Sequence, residues 1–380
     1  MRLALVHDWL NTLGGAERVL IELHRMYPGV PIYTLFYNKK FIKQWLPDAK
    51  IHASFLQKVP FITKIYPKLA WLMPVAIESF NLSGYDTVLS SSVAFSKGLV
   101  LKPSTKHICY CYSPTRQLWD NTHQNKESTG RMIAKHFLRI WDLSAADRVD
   151  QFVAISKTVQ ARIKKYYNKD SIVIYPPANP ANFQRGVIPE RGPQSRGIEM
   201  STTGVRMEQD PELLNLPKDF YLIVSRLYDY KNIDVAIQAF NKIGYSLIII
   251  GDGPLRHHLQ RKANKNITFL RSQDDSTVAA HYAACRAFIM PQEEDFGLTA
   301  VEAMSFGKPV VALRKGGATE TVVEGVTGEF FDDPIPEAIA DALTRLNAKY
   351  DTYDLAAIKN QTDKFSLDNF KKEITNLLQS

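Results

Sequence analysis

Along most of the chain, short runs of apolar residues alternate with longer segments whose apolar positions recur every three or four residues. The short runs read as strands buried on both faces and the longer segments as amphipathic helices. That alternation predicts parallel sheets in an α/β protein. In the first half, strands are expected over residues 2–7, 32–36, 87–91, 107–112, 152–155 and 172–175, with helices over 16–26, 130–146 and 157–167. The pattern breaks at Asn182–Leu216, where Gly, Pro and mixed charge replace periodicity, so a linker or mobile loop is expected. It resumes with strands over 220–224, 246–250, 267–270, 287–290, 310–313 and 329–331 and helices over 234–242, 254–263, 277–284, 298–306, 319–323 and 336–346. A last amphipathic helix is expected over 366–378. The expected organisation is a first domain at 1–181, a linker at 182–216, a second domain at 217–364, and a helix at 365–380 returning to the first. Two facing domains of this kind leave a cleft, a usual place for a ligand.

Three places combine a strand end with chemistry. After the strand at 287–290 comes an acidic loop with Glu293, Glu294 and Asp295, and a helix opens near Gly297. The first N–H groups of that helix, at Gly297, Leu298 and Thr299, are donors without intrahelical partners and form an anion site. Glu294 precedes it and Glu302 lies about one turn inside. The acidic loop either supplies favourable charge at a helix start or accepts hydrogen bonds from hydroxyls flanking a bound phosphate. Arg226 and Lys231 stand in the loop after the strand at 220–224, where two cations can grip a diphosphate. The first strand ends at His7 and Asp8 and is followed by Gly14 and Gly15, which permit a ligand to approach the backbone closely. His7 and Asp8 are candidate contacts to an acceptor or phosphate. The Gly251-Asp252-Gly253-Pro254 turn lacks the third glycine and the ribose acid of a dinucleotide site, so no nicotinamide cofactor is expected.

The chain carries 47 Lys and Arg against 39 Asp and Glu, a net charge of +8, which favours acidic partners. Its basic residues are dispersed and no nucleic-acid-binding module is visible, leaving a nucleic-acid-binding protein as the remote reading. Cys109, Cys111 and Cys285 are too few for a disulfide framework and read as packed thiols in a reducing compartment. No run of 18 apolar residues occurs, and the N-terminus meets charge too early for a signal peptide, so a cytoplasmic location is expected. Within 55–80, Lys58, Lys64 and Lys68 interleave with Phe61, Ile62, Ile65, Leu69, Trp71, Leu72 and Met73. This segment is either a helical layer on the sheet or a contact with an anionic membrane.

Arg226, Lys231 and the run from Glu294 to Glu302, two glutamates with seven residues between them, resemble the "group 1" retaining glycosyltransferases of family 4, which have the GT-B fold of two facing Rossmann-like domains. The likeness extends through Gly307–Ala312, Gly316-Gly317, Glu320, Gly325–Gly328, Ile172–Pro177 and Gly14-Gly15. The run from Cys109 to Asp120 is similar to the mannosyltransferase branch that builds O-antigen and other surface polysaccharides. Where many members place a His at the end of that strand, Tyr112 and Ser113 stand here.

The resemblance implies transfer of a hexose, with mannose from GDP-mannose favoured and a UDP-sugar as the alternative, to a lipid-linked or saccharide acceptor. A nucleotide-sugar epimerase of the same fold is the competing enzyme class. Arg226 and Lys231 would neutralise the leaving diphosphate and Glu294 would hold the transferred sugar. Glu302 would take the ribose, and Gly297, Leu298 and Thr299 the phosphates. Gly14 and Gly15 would meet the donor, and His7, Asp8 and Arg116 the acceptor. No cofactor is implied. No Asp-x-Asp metal motif stands at a strand end, so no metal is expected.

Overall fold

A computed structural model describes residues 2–120, 128–178, 216–217 and 219–379. The expected linker therefore lies outside the described residues apart from Leu216. The chain divides into two compact units, Met1–Pro176 with Phe370–Ser380, and Pro177–Asn369.

Unit 1 is built on a seven-stranded sheet in the order β3-β2-β1-β4-β5-β6-β7. Its strands are β1 (Leu3–His7), β2 (Ile32–Thr34), β3 (Ile51–Ala53), β4 (Thr87–Ser92), β5 (Lys106–Cys111), β6 (Gln151–Ala154) and β7 (Ser171–Val173). Every pairing is parallel, and β1 sits inside the sheet with Leu5 beside Ile32 on one side and Leu89 on the other. Residues 51–53 were not expected to pair. Three half-exposed residues at a sheet edge carry too little hydrophobic pattern to announce a strand. The helices are α1 (Gly15–Met26), α2 (Lys39–Trp45), α3 (Ile62–Ile65), α4 (Met73–Glu78), α5 (Arg116–Trp119), α6 (Thr129–Asp147) and α7 (Lys157–Tyr167). The Ser156 hydroxyl caps α7 by accepting from the Val159 N–H at 3.0 Å. One core gathers Val6, Phe36, Leu56, Ile77, Val88 and Phe95 beneath α3, α4 and the turn between them.

Unit 2 has a six-stranded parallel sheet in the order β10-β9-β8-β11-β12-β13. These are β8 (Phe220–Val224), β9 (Ser246–Ile250), β10 (Ile267–Leu270), β11 (Ala287–Met290), β12 (Val310–Leu313) and β13 (Gly328–Phe331). The helices are α8 (Ile233–Ile243), α9 (Arg256–Lys262), α10 (Asp275–Ala284), α11 (Leu298–Ser305), α12 (Ala318–Thr321), α13 (Pro336–Ala348) and α14 (Leu355–Asn360). Ile223, Ile249 and Ile289 from the sheet pack on Ile237 and Phe240 of α8 and on Ile339 and Leu343 of α13, all buried. Each such aliphatic contributes roughly 1.5–3 kcal/mol by leaving water. The last helix, α15 (Leu367–Gln379), belongs to unit 1 from Phe370 onward, where the Phe370 ring meets Tyr110 edge-on at 5.9 Å. Among the described residues no helix is long and apolar enough to cross a membrane.

In both units the strand order reverses beside the first strand, between β1 and β4 and between β8 and β11. That reversal sends neighbouring loops to opposite faces and opens a crevice at the carboxyl ends of the strands, where parallel sheets of this kind bind ligands.

Candidate functional site

The unit 2 crevice is formed by the loops after β8 and β11. The first leaves the sheet at Val224 and turns through a short 3-10 segment, Asp229–Lys231. It is held by the neighbouring 251–255 turn: Leu227 donates its N–H to Asp252 O at 2.9 Å, and Leu255 donates to Leu227 O at 3.2 Å. Gly253 lies so close that a Cβ there would sit 2.5 Å from the Leu227 carbonyl oxygen. The glycines of that turn thus serve backbone packing, which brings Arg226 and Lys231 to the crevice. Arg226 is exposed, its guanidinium 5.8 Å from the Tyr228 ring. Lys231 is buried; its ammonium donates to Glu294 and lies 5.1 Å from the Tyr230 ring.

The second loop runs from Pro291 to Gly297. Glu294 Oε1 also accepts from Gln292 Nε2 at 2.8 Å, and Asn232 Nδ2 donates to Pro291 O at 3.1 Å, tying the two loops together. Behind Glu294, the Gly317 N–H donates to its carbonyl at 2.8 Å. Gly316 has φ +65°, and a Cβ there would lie 2.2 Å from the Glu294 carbonyl oxygen, so a side chain would push the loop forward. Gly297, with φ +89°, opens α11, and Ala300 donates back to its carbonyl at 3.0 Å. The N–H groups of Leu298 and Thr299 therefore stand in the first turn, pointing out of the helix start. Glu302 lies farther along α11 and accepts from the Tyr282 hydroxyl at 3.0 Å. Lys231 and Glu294 are thus brought into direct contact from two loops, Arg226 shares the loop of Lys231, and Glu302 accepts separately from Tyr282. Asn232, Gln292 and Tyr282 were missed in the sequence. Each acts through a tertiary contact that no local spacing announces.

Unit 1 corrects two expectations. Asp8 is fully buried, and its carboxylate accepts from the backbone N–H groups of Val93 (2.6 Å), Ala94 (3.1 Å), Phe95 (2.5 Å) and Ser96 (2.9 Å). It clamps the loop after β4 and is not placed to meet an acceptor. His7 is also fully buried. Its Nδ1 lies 3.0 Å from both Ser91 O and Ser91 Oγ, and its Nε2 lies 3.6 Å from Glu17 Oε1. Gly14 precedes α1, and a Cβ there would be 2.8 Å from Glu17 Oε2. Its small size makes room for the helix's own carboxylate at the helix start.

Tyr112, standing where a His was expected from the resemblance, donates its hydroxyl to Ala16 O at 3.1 Å and lies 3.0 Å from Ser91 Oγ. Burial pushes its phenol well above the ordinary value, so it braces α1 against β5 as a neutral group. Arg116 opens α5 and lies 3.7 Å from Asp120, which also accepts from the Tyr166 hydroxyl at 2.6 Å.

A second ion pair, Lys97 with Asp142, lies deeper in unit 1. The lysine donates to Asp142 Oδ1 at 2.6 Å, and Asp142 also accepts from Thr115 Oγ1, Trp119 Nε1 and Tyr167 OH, each at 2.8 Å. Burial works against the ammonium, but the carboxylate outweighs it and holds the lysine above its ordinary value. Among the described residues, no three His, Cys, Asp or Glu side chains are grouped to hold a metal ion.

The doubly wound units are those of the GT-B fold. Residues 206–362 match the family described as "Glycosyl transferases group 1". The crevice with Lys231, Glu294 and Glu302 lies within that matched segment.

Among curated proteins, the chain is 33% identical over 166 residues to the GDP-mannose-dependent alpha-(1-6)-phosphatidylinositol monomannoside mannosyltransferase of Mycolicibacterium smegmatis, covering 39% of this chain and 43% of that protein. It is 23% identical over 425 residues to the alpha-1,3/1,6-mannosyltransferase ALG2 of Dictyostelium discoideum, covering 100% of this chain and 98% of that one. Matches at 31–33% identity to the Methanocaldococcus jannaschii and Mycolicibacterium relatives span only 38% and 43% of those proteins' lengths. Among solved structures, Alr3699/HepE of Anabaena in complex with UDP and glucose superposes with a TM-score of 0.72 at 17% identity, with 100% of both chains covered.

Proposed function

We propose that the protein transfers mannose from GDP-mannose, with retention of anomeric configuration, to a lipid-linked or saccharide acceptor in the assembly of a surface polysaccharide such as O-antigen. The observation that carries this reading is the Lys231–Glu294 contact at the unit 2 switch point, beside exposed Arg226 and the opening turn of α11. The mannosyltransferase names of the curated relatives support the sugar.

In this reading the diphosphate occupies the N-terminal turn of α11, flanked by Arg226 and Lys231. As the bond from the anomeric carbon to the β-phosphate oxygen breaks, its electron pair passes to that oxygen, and the fixed cations and backbone donors stabilise the growing charge. The acceptor hydroxyl forms the new bond on the same face of the sugar and its proton passes to the departing phosphate. Glu294 orients the sugar by accepting from its hydroxyls, and Glu302, held by Tyr282, accepts from the ribose. Gly14, Gly15 and Arg116 remain the proposed contacts from unit 1. We assign no metal ion to the reaction, and activity should survive EDTA. A cytoplasmic enzyme touching the membrane through residues 55–80 fits a lipid-linked acceptor.

A second reading, with a UDP-sugar as donor, is favoured by the UDP and glucose bound in the Anabaena neighbour. A thermal-shift panel of GDP, UDP, ADP and TDP separates the two, since a nucleotide at 100 times its Kd adds about 2.7 kcal/mol. Stabilisation by GDP alone supports the first reading. A larger shift with UDP overturns it, and no shift with any nucleotide removes both. The anomeric configuration of the product, read by NMR coupling constants, tests retention.

A further inference from the structure

Helix α6 is anchored to unit 1 by one face only. Trp141 reaches Glu78 at the end of α4, donating Nε1 to Oε1 at 2.8 Å, while Ala145 and Ala146 are buried. Its outer face carries Met132, Ile133, Phe137, Ile140 and Leu143, which are 58%, 55%, 65%, 53% and 40% exposed. At 3.6 residues per turn these five fall on one arc of about 140°. An apolar stripe left in water at this length marks an interaction surface.

Charge identifies the partner. From Thr129 to Trp141 the helix holds no Asp or Glu, whereas Arg131, Lys135 and Arg139 stand along one flank of the stripe. Leu138 and Trp141 pack on the same core as Leu69, Ala70 and Leu72, which sets α6 alongside the 66–78 segment. That neighbouring segment exposes Lys68, Trp71 and Val75, with Phe61 and Lys64 just before it. A second copy of the chain docking on this stripe would bring basic flanks together, whereas an anionic surface matches their charge.

We propose that α6 lies flat on an anionic lipid surface. The Met132–Leu143 stripe enters the acyl boundary, Arg131 and Lys135 meet phosphate headgroups, and Trp71 and Phe61 add aromatic anchors at the same level. This deepens the proposed function by identifying how the chain would reach a lipid-linked acceptor, and it rests on that reading for its purpose only; lipid binding itself is measured without sugar transfer.

The test is co-sedimentation of the full chain with vesicles of phosphatidylcholine containing 30 mol% phosphatidylglycerol, against pure phosphatidylcholine, in 0.1 M NaCl, with the composition chosen at roughly the charge density of an anionic leaflet. Binding should favour the anionic vesicles. The triple variant Ile133→Asn, Phe137→Asn, Ile140→Asn should lower partitioning at least about 100-fold, because three apolar side chains no longer leave water. Arg131→Gln with Lys135→Gln should lower it roughly 25-fold, about fivefold per charge. Cys109, Cys111 and Cys285 are buried, so Met132→Cys offers a selective site for an environment-sensitive NBD label, whose emission should shift to the blue on anionic vesicles.

A triple variant that folds, by its unfolding midpoint, yet binds vesicles like the parent overturns the proposal. So does an unshifted label on vesicle-bound protein, or a dimer in sedimentation velocity that the triple variant converts to monomer. Nucleotide stabilisation is read separately: its loss with lipid binding intact removes the proposed function and leaves this surface standing.

Discussion

At the end of β1, Asp8 commits its carboxylate to four backbone N–H groups and is fully buried. At the end of β11, Glu294 contacts Lys231 and Gln292 at a crevice that also presents the exposed Arg226. Both residues follow strands that flank the reversal in strand order, Asp8 after β1 in one sheet and Glu294 after β11 in the other. In unit 1 the charges are internal: Asp8 holds a loop, and Lys97 with Asp142 forms a pair enclosed by Thr115, Trp119 and Tyr167. In unit 2 the charges stand in loops at the sheet's edge, where a ligand can replace one partner of a pair. A charge at a switch point is thus no proof of a binding site. What decides is whether the polypeptide has already satisfied it.

The sharpest way to break this comparison is to remove one partner from each ion pair. Lys97→Ala leaves Asp142 buried and unpaired, and should cost about 3–5 kcal/mol of stability in urea unfolding. Lys231→Ala breaks a pair whose carboxylate reaches water more, 22% exposed against 1% for Asp142, and should cost less, about 1–3 kcal/mol. Equal losses would mean that both pairs are structural.

A pH scan probes the interior of unit 1 at a neutral base. Burial holds His107 down to about 4, and its Nε2 lies 2.9 Å from Ser90 Oγ. An unfolded imidazole titrates near 6.5, so between these pH values the unfolded chain binds more protons, and stability falls as pH drops from about 6.5 toward 4. The full effect is about 3 kcal/mol, and His107→Asn should remove it from the difference between stability curves at pH 7 and pH 4. A variant with the same pH slope as the parent would place the titration elsewhere.

In unit 2 the same comparison predicts kinetic effects. Arg226→Ala or Lys231→Ala should lower kcat about 100-fold or more with a smaller change in donor KM, because the charge they meet develops as the bond breaks. Glu294→Ala should also lower kcat. Near-normal turnover for Arg226→Ala and Glu294→Ala in folded protein would move the active site away from this crevice.

Glu302→Ala should instead raise donor KM about 10-fold with kcat nearly unchanged, since its contact is the same before and during reaction. Tyr282→Phe, which removes one hydrogen bond to the same carboxylate, should follow in the same direction by a few-fold. A kcat effect without a KM effect would reassign Glu302 to the reacting sugar.

The smallest effect is expected at Gly14→Ala. The added methyl meets only the end of the Glu17 side chain, which can swing aside, so the stability change should stay below about 1 kcal/mol. A large rise in donor KM at unchanged stability would show that the backbone at Gly14 meets the donor, as proposed.

Much of the architecture was legible along the chain. The strands of unit 2 are short apolar runs because helices cover both faces, and Phe220–Val224, Ser246–Ile250 and Ile267–Leu270 stand where the pattern placed them. The short edge strand Ile51–Ala53 and the helix Leu355–Asn360 were not legible, being too brief to build a period. At the site, the spacing of Glu294 and Glu302 and the loop with Arg226 and Lys231 could be read directly. The supporting contacts of Asn232, Gln292 and Tyr282 could not.

What the sequence determined by itself is therefore the class of fold and the chemistry available at the strand ends. Hydrophobic periodicity sets which residues leave water, and glycine and charge mark the loops between them. What only the tertiary structure decided is the state of each charge. Asp8 and Glu294 are both acids following a buried strand, and nothing local distinguishes them. Asp8 became a clamp because the loop after β4 brings four N–H donors from residues 93–96 around it, whereas Glu294 received a lysine from a loop 63 positions earlier in the chain. Such partners are far apart in sequence and meet only when the sheet sets their loops side by side, so the same residue type is consumed in one unit and left addressable in the other.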